Sequence, residues 1–448
     1  MATAGKTAVP MGGSGGERVA FRGAIAHCLS DPGEGGEGFE YLEDGVLIVA
    51  DGRIERLGEA TALLPALGDV AVHDRRGTLI VPGFVDVHLH YPQTDMIASH
   101  GAQLLEWLES YVFPVECRFS DTAYATDTAE FFLAELLRNG TTSALVLGTV
   151  HARSVDVLFE AAARRGLRLI AGKVLMDRNC PEALRDTPES AYRESKALIE
   201  RWHGQDRLRY AITPRFAPTS SEAQLERAGR LAAEHPDVYV HTHLAENANE
   251  VGWVAELFPD SRSYVDVYER FGLLRERSVF AHCIHLDDTD RRRMGASGAT
   301  MAFCPSANLF LGSGLFDLAA AEMHGARVGL GTDVGAGTTF SLLRLLGEAY
   351  KVVQMTGQSL SPERALYLAT LGGARALHID DAVGSFAPGK EADFVVLDPE
   401  ATPLLARRCR AATTPSERLF ALMTLGDDRA VAETFVQGVS AHRREASP

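Results

Sequence analysis

This 448-residue chain has no surplus of basic charge: Lys and Arg total 44 against 60 Asp and Glu, for a net charge of -16. That balance argues against a nucleic-acid scaffold and suits a protein handling a small neutral or polar molecule. Cysteine is sparse. Cys28, Cys117, Cys180, Cys283, Cys304 and Cys409 are scattered without a CxxC pair, so they read as reduced cytoplasmic thiols and not as a disulfide framework. Long apolar runs are missing too. The longest uncharged run, Met294 to Phe316, carries Pro305, Asn308 and several Gly and Ser, which a membrane-spanning helix would not tolerate. The opening MATAGKTAVPMGGSGGERVAF lacks the apolar core of a signal peptide, and its Gly/Ser content predicts a flexible tail over residues 1–17. These absences predict a soluble, cytoplasmic chain with no membrane or nucleic-acid partner.

What is present has a clear order. Apolar residues make up 46 % and charged residues 23 %, ordinary values for a folded soluble protein. Residues 18 to 81 alternate short apolar runs with Gly and Asp turns, as in DGVLIVADGRIERLG, and the carboxyl end repeats the style in KEADFVVLDPE and AVAETFVQGVSA. The two ends, 18–79 and 381–448, are therefore expected to build one small β-sandwich domain. Between them, residues 80–380 alternate strand-like runs with amphipathic helical segments. The strand candidates are TLIVPGFVDVHLH, TTSALVLGTV, LRLIAGKVLM, LRYAITPRF, DVYVHTHLA, RSVFAHC, ATMAFCP and ARVGLGTD. Two of the intervening helices stop at Gly140 and Gly166, a common helix end. This alternation predicts an α/β protein, a (β/α)8 TIM-like barrel.

Chemistry gathers at the ends of those strands. His88 and His90 close VDVHLH, and residues two apart in a strand share a face, so both imidazoles can reach one ion. His243 ends the fifth strand, His282 the sixth and Asp333 the eighth, all on the rim where barrel enzymes place their active sites. Each alone reads equally well as a satisfied core histidine or a helix-capping aspartate. Together, His88, His90, His243 and Asp333 would hold one ion, Zn2+ or Fe2+, with room for a water. Such an ion lowers the pKa of its water from about 15.7 toward roughly 7. Glu246, three residues beyond His243, would sit close enough to carry protons, although a first-turn glutamate is otherwise favoured simply by the helix dipole. His241 reads as barrel interior or as a residue supporting the ligands from behind, and Lys173 as barrel lining. The fourth strand ends in TPRF, without a lysine that could bridge a second metal, so a single ion is expected.

PGFVDVHLH, HTHLAEN, AHC, GLGTD and PGKEADFVVLD together resemble the amidohydrolase superfamily of metal-dependent barrel hydrolases, from about residue 45 to residue 440. Within it, HYPQTD, LLEWLESYVFPVE, PRFAPTSS, CPSANLFLGSGLF and GTDVGAGTTFSLLR are similar to the branch that deaminates a purine base. The resemblance implies hydrolytic deamination of guanine to xanthine and ammonia, with Glu246, His282 and Asp333 as catalytic residues. It further implies that Phe216 stacks on the ring, that Arg215 donates to the exocyclic carbonyl and that Gln93 pairs with the purine edge. A homodimer is implied as well. Two other readings stand beside this one: a related aminohydrolase acting on a nucleoside, cytosine or a triazine, and a non-catalytic barrel scaffold. Gln93 with Arg215 and Phe216 argues against the first, and the intact ligand set against the second.

Overall fold

The structure is a computed structural model that describes residues 18–33, 35–101 and 103–445; the tail expected over 1–17 lies outside them. Eight strands follow one another in a parallel sheet: Phe84–His90, Thr141–Leu147, Arg168–Gly172, Leu208–Pro214, Tyr239–Leu244, Ser278–His282, Thr300–Phe303 and Arg327–Leu330. A two-residue strand, Val174–Leu175, adds to the fourth. Every residue of the first and second strands is buried, as a sheet covered by helices on one side and packed inward on the other requires. The helix Thr122–Arg138 shows how the cover forms. Ala125, Ala129, Phe132, Leu133 and Leu136 fall on its buried face, and Asp121 caps its start by accepting from the Ala123 amide.

The eighth strand meets the first through side-chain as well as backbone bonds. The amide of Asp333 donates to the His88 carbonyl at 2.9 Å, and that of His90 to the Val334 carbonyl at 2.8 Å. Buried Asp86 accepts from the Thr332 amide at 3.1 Å and from the His88 amide at 3.2 Å. A Cβ on Gly331 would lie 2.8 Å from the Cβ of His88, so this closure needs glycine there. The seam that closes the barrel is thus also the seam that presents His88 and Asp333.

The run 78–90, read as one strand, is two. Ala71–Pro82 belongs to a sheet made by the chain ends, and the barrel begins after Gly83. Gly83 marks the crossing because a Cβ there would meet Thr142 Oγ1 at 2.1 Å. The end sheet has seven strands in the order Val439–Arg443, Val431–Val436, Phe394–Leu397, Ala71–Pro82, Val19–Cys28, Phe39–Ala50 and Arg53–Glu59. All its pairings are antiparallel except that of Val19–Cys28 with Ala71–Pro82. Phe21, Phe394 and Phe435, from three strands, gather with centroids 4.3–5.0 Å apart at the centre of one face. Two helices, Pro403–Arg410 and Pro415–Leu425, interrupt the carboxyl-terminal strands. Each starts at a Thr-Pro step whose threonine caps it, a start signal that the β-rich reading of this end passed over.

Glu391 joins the two sheets. Its carboxylate takes Arg168 Nη2 at 2.7 Å and Arg207 Nη2 at 2.8 Å, both from the barrel, with all three side chains under 10 % exposed. Removing it leaves two guanidinium groups buried against a single remaining carboxylate, Asp393. Glu391→Ala is therefore expected to lower unfolding stability by about 3–5 kcal/mol, read as a lower urea midpoint.

Candidate functional site

His88 and His90 leave the first strand on one face, His243 leaves the fifth, and Asp333 follows the eighth; their ligand atoms all lie within 4.8 Å of one another. The Nε2 atoms of His88 and His90 each stand 3.2 Å from Asp333 Oδ1, and His243 Nε2 stands 3.2 Å from His90 Nε2. Burial pushes the imidazoles down, His90 to about 3 and His243 well below its ordinary value, so they are neutral. His243 Nδ1 donates to the Arg215 carbonyl at 2.6 Å, which leaves the Nε2 lone pair facing inward. His88 Nδ1 is held by His241 Nε2 at 2.7 Å, while buried His88 Nε2 has no hydrogen-bond partner among the described residues. Neutral acceptors aimed at one another and an orphaned ring nitrogen are what a divalent cation would satisfy. Three imidazoles and a carboxylate fit such an ion, and the site can bind a metal.

Two further groups border this cluster. Glu246 Oε1 accepts from Ser313 Oγ at 3.1 Å, and Oε2 lies 3.4 Å from His282 Nε2. Burial, helped by the Asp333 charge, raises the Glu246 carboxyl to about 8, so it holds its proton at neutral pH. Glu250 accepts from the Glu246 and Asn247 amides at 2.9 and 3.1 Å, a capping box that holds the loop carrying Glu246. His282 Nδ1 meets Asn308 Oδ1 at 2.8 Å; the amide oxygen accepts, so Nε2 keeps its lone pair and points toward Glu246 and, at 3.8 Å, Asp333. Ala245, His282, Cys283 and Asp333 all have φ between 50° and 72°, a backbone region costly for residues with a Cβ and concentrated at functional sites.

Above the cluster lies a pocket. Leu104, Trp107, Leu108, Phe216, Leu311 and Ala336 supply apolar walls, and Gln93 and Arg215 supply polar ones. All nine site residues read from the sequence meet here: His88 beneath the pocket within the ligand cluster, the other eight on its lining. Gln93 is already partly engaged, its Oε1 accepting from the Gly335 amide at 3.2 Å and its Nε2 donating to Glu116 Oε1 at 3.4 Å. One amide hydrogen and one oxygen lone pair remain for a ligand. Sequence reasoning missed Trp107, Leu311, Asn308, Ser313 and Glu116. The i, i+3, i+4 spacing of Leu104, Trp107 and Leu108 was a legible signal for an apolar helix face, but nothing said which cavity it would face.

A barrel whose carboxyl-terminal rim gathers three histidines and an aspartate under an apolar pocket defines a hydrolase of the metal-dependent barrel class. Residues 79–440 match the model of the amidohydrolase family, and the chain belongs to that family. Its relatives at high identity are guanine deaminases. That of Escherichia coli (strain K12) is 52% identical over 421 residues, spanning 94% of this chain and 96% of the relative. A probable guanine deaminase of Deinococcus radiodurans is 44% identical over 95% of this chain and 99% of its own length. The solved structure of the E. coli guanine deaminase superposes with a TM-score of 0.94 at 51% identity, covering 95% of this chain and all of that one. The guanine deaminase of C. acetobutylicum, solved with guanine bound in its active site, gives 0.87 at 29% identity, covering 94% and 99% of the two chains.

Proposed function

We propose that this protein hydrolyses guanine to xanthine and ammonia. The observation that carries the reading is the placement of a buried carboxyl, Glu246, beside His282 and the His88–His90–His243–Asp333 cluster, at the base of a pocket walled by Phe216, Gln93 and Arg215. A bound divalent ion would supply Lewis acidity, making hydroxide available near neutral pH. Phe216 offers a flat apolar face to the purine, Arg215 donates to its carbonyl oxygen, and Gln93 pairs with its edge. Glu246 gives its proton to the ring nitrogen next to carbon 2. Asp333 and His282 Nε2 accept protons from the attacking water and direct its oxygen to carbon 2. Returning a proton to the exocyclic nitrogen lets it leave as ammonia, so one water is consumed for each guanine.

We assign His88, His90, His243 and Asp333 as ligands of a single ion, with zinc or ferrous iron as the candidates this donor set suits. We divide the chain at Gly83, because the strand Ala71–Pro82 runs past the boundary expected at residue 80 and pairs within the end sheet: 18–82 with 381–448, around 84–380. A cytoplasmic setting is supported by six cysteines that are all unpaired, and homodimerisation by the family resemblance. The test is ammonia release from a panel of guanine, adenosine, cytosine and a triazine. Guanine is expected to exceed every other substrate in kcat/KM by about 10²-fold or more, because a ring without the matching edge leaves buried donors unpaired. Faster turnover of any other member defeats the assignment, and a purified chain devoid of metal would favour the scaffold reading instead.

A further inference from the structure

Glu116 is a buried charge at the site to which the chemistry above gives no task. It closes the short helix Phe113–Glu116 and is fully buried. Both carboxylate oxygens accept from Arg215 Nη1, at 2.9 and 2.8 Å, and Oε1 takes the longer 3.4 Å bond from Gln93 Nε2. One carboxylate behind the wall therefore holds both Gln93 and Arg215. Arg215 lines that pocket, and its other two guanidinium nitrogens have no protein partner among the described residues.

The pairing has a consequence for charge. A lone guanidinium buried as deeply as that of Arg215 would favour anions strongly, because burial strengthens its field. Paired with Glu116, Arg215 keeps its geometry as a donor while the pair carries no net charge. This matters for the reaction as read here, on which the inference rests: guanine is neutral near pH 7, whereas xanthine is the stronger acid and forms a monoanion near neutrality.

We propose that Glu116 is a positioning and charge-compensating residue, which turns the free N–H groups of Arg215 toward the carbonyl edge of a neutral purine and keeps the pocket from retaining an anionic one. Glu116 acts through Arg215 and Gln93 and is not itself a pocket wall. Its replacement should therefore change which charge state binds, and not merely how well everything binds.

The experiment measures binding of xanthine and of hypoxanthine, a purine neutral at the same pH, by calorimetry on the full chain and on Glu116→Gln and Glu116→Asp. In Glu116→Gln, xanthine above its first ionisation is expected to tighten relative to hypoxanthine by about tenfold, while kcat/KM for guanine falls by a similar factor. Glu116→Asp, which keeps the charge, should return the ratio toward wild type. Parallel weakening of both ligands in Glu116→Gln, or no change in their ratio, overturns the proposal. Should Glu116→Gln not fold, the wild type decides. Xanthine affinity, taken relative to hypoxanthine, must fall as pH rises through the xanthine ionisation, and a rise overturns the idea. Calorimetry needs no turnover, so a chain that binds as described yet releases no ammonia from guanine would defeat the proposed function alone.

Discussion

Glu246→Gln is expected to fold normally, to bind its metal, and to lose about 10²–10⁴-fold in kcat for guanine. The reasoning is local. Glutamine has the same shape and can still accept from Ser313 Oγ, which stands 3.1 Å from Glu246 Oε1. The bonds that hold the loop come from Glu250 to backbone amides and are untouched. What disappears is a transferable proton. Burial and the Asp333 charge raise the Glu246 carboxyl to about 8, so the acid is protonated at neutral pH and deprotonates as pH climbs through that value. Wild-type kcat should accordingly fall on the alkaline side, and the residual activity of the glutamine variant should not show that limb. Elemental analysis of the purified variant, beside its ammonia release, checks both halves. A variant with full metal and near-normal turnover would remove Glu246 from the mechanism.

His88→Ala is expected to lose bound metal and activity together, and added divalent ions should not restore it. His88 is completely buried, and its Nε2 is the orphaned atom that faces Asp333. Alanine removes one of four converging donors and leaves His241 Nε2 without the bond it makes to His88 Nδ1. Wild-type protein stripped by a chelator should lose activity and recover it when a divalent ion is returned. Removal should also lower thermal stability, because an ion that binds only the folded chain contributes roughly 3–4 kcal/mol at 100 to 1,000 times its dissociation constant. An unchanged melting temperature after complete metal removal would mean that the cluster is not a strong binding site.

Much of this centre was visible along the chain because strand geometry is regular. The two-residue spacing of His88 and His90 puts both on one face wherever a strand forms, and His243, His282 and Asp333 end apolar runs in the same alternating series. Glu246 was found because it trails His243 by a fixed short distance. Glu116 was not, since its partner Arg215 lies 99 residues away and no local pattern connects them. The same holds for Asn308, which faces His282 from the short helix Pro305–Phe310, 26 residues on. The helices that begin at Thr402 and Thr414 were missed for another reason: their capping signal was present but outweighed by the strands on either side.

By itself the sequence determined the alternation that makes a barrel and the faces on which its histidines lie, because these depend on periodicity and on residues close in the chain; the family followed from the resemblance of its motifs. The tertiary structure alone decided that the barrel closes through Asp86, Thr332 and the glycine at 331, and that Glu116 sits behind Arg215 and Gln93. Those choices depend on which distant segments meet in a space too tight for water, and a burial partner far along the chain leaves no mark on local spacing.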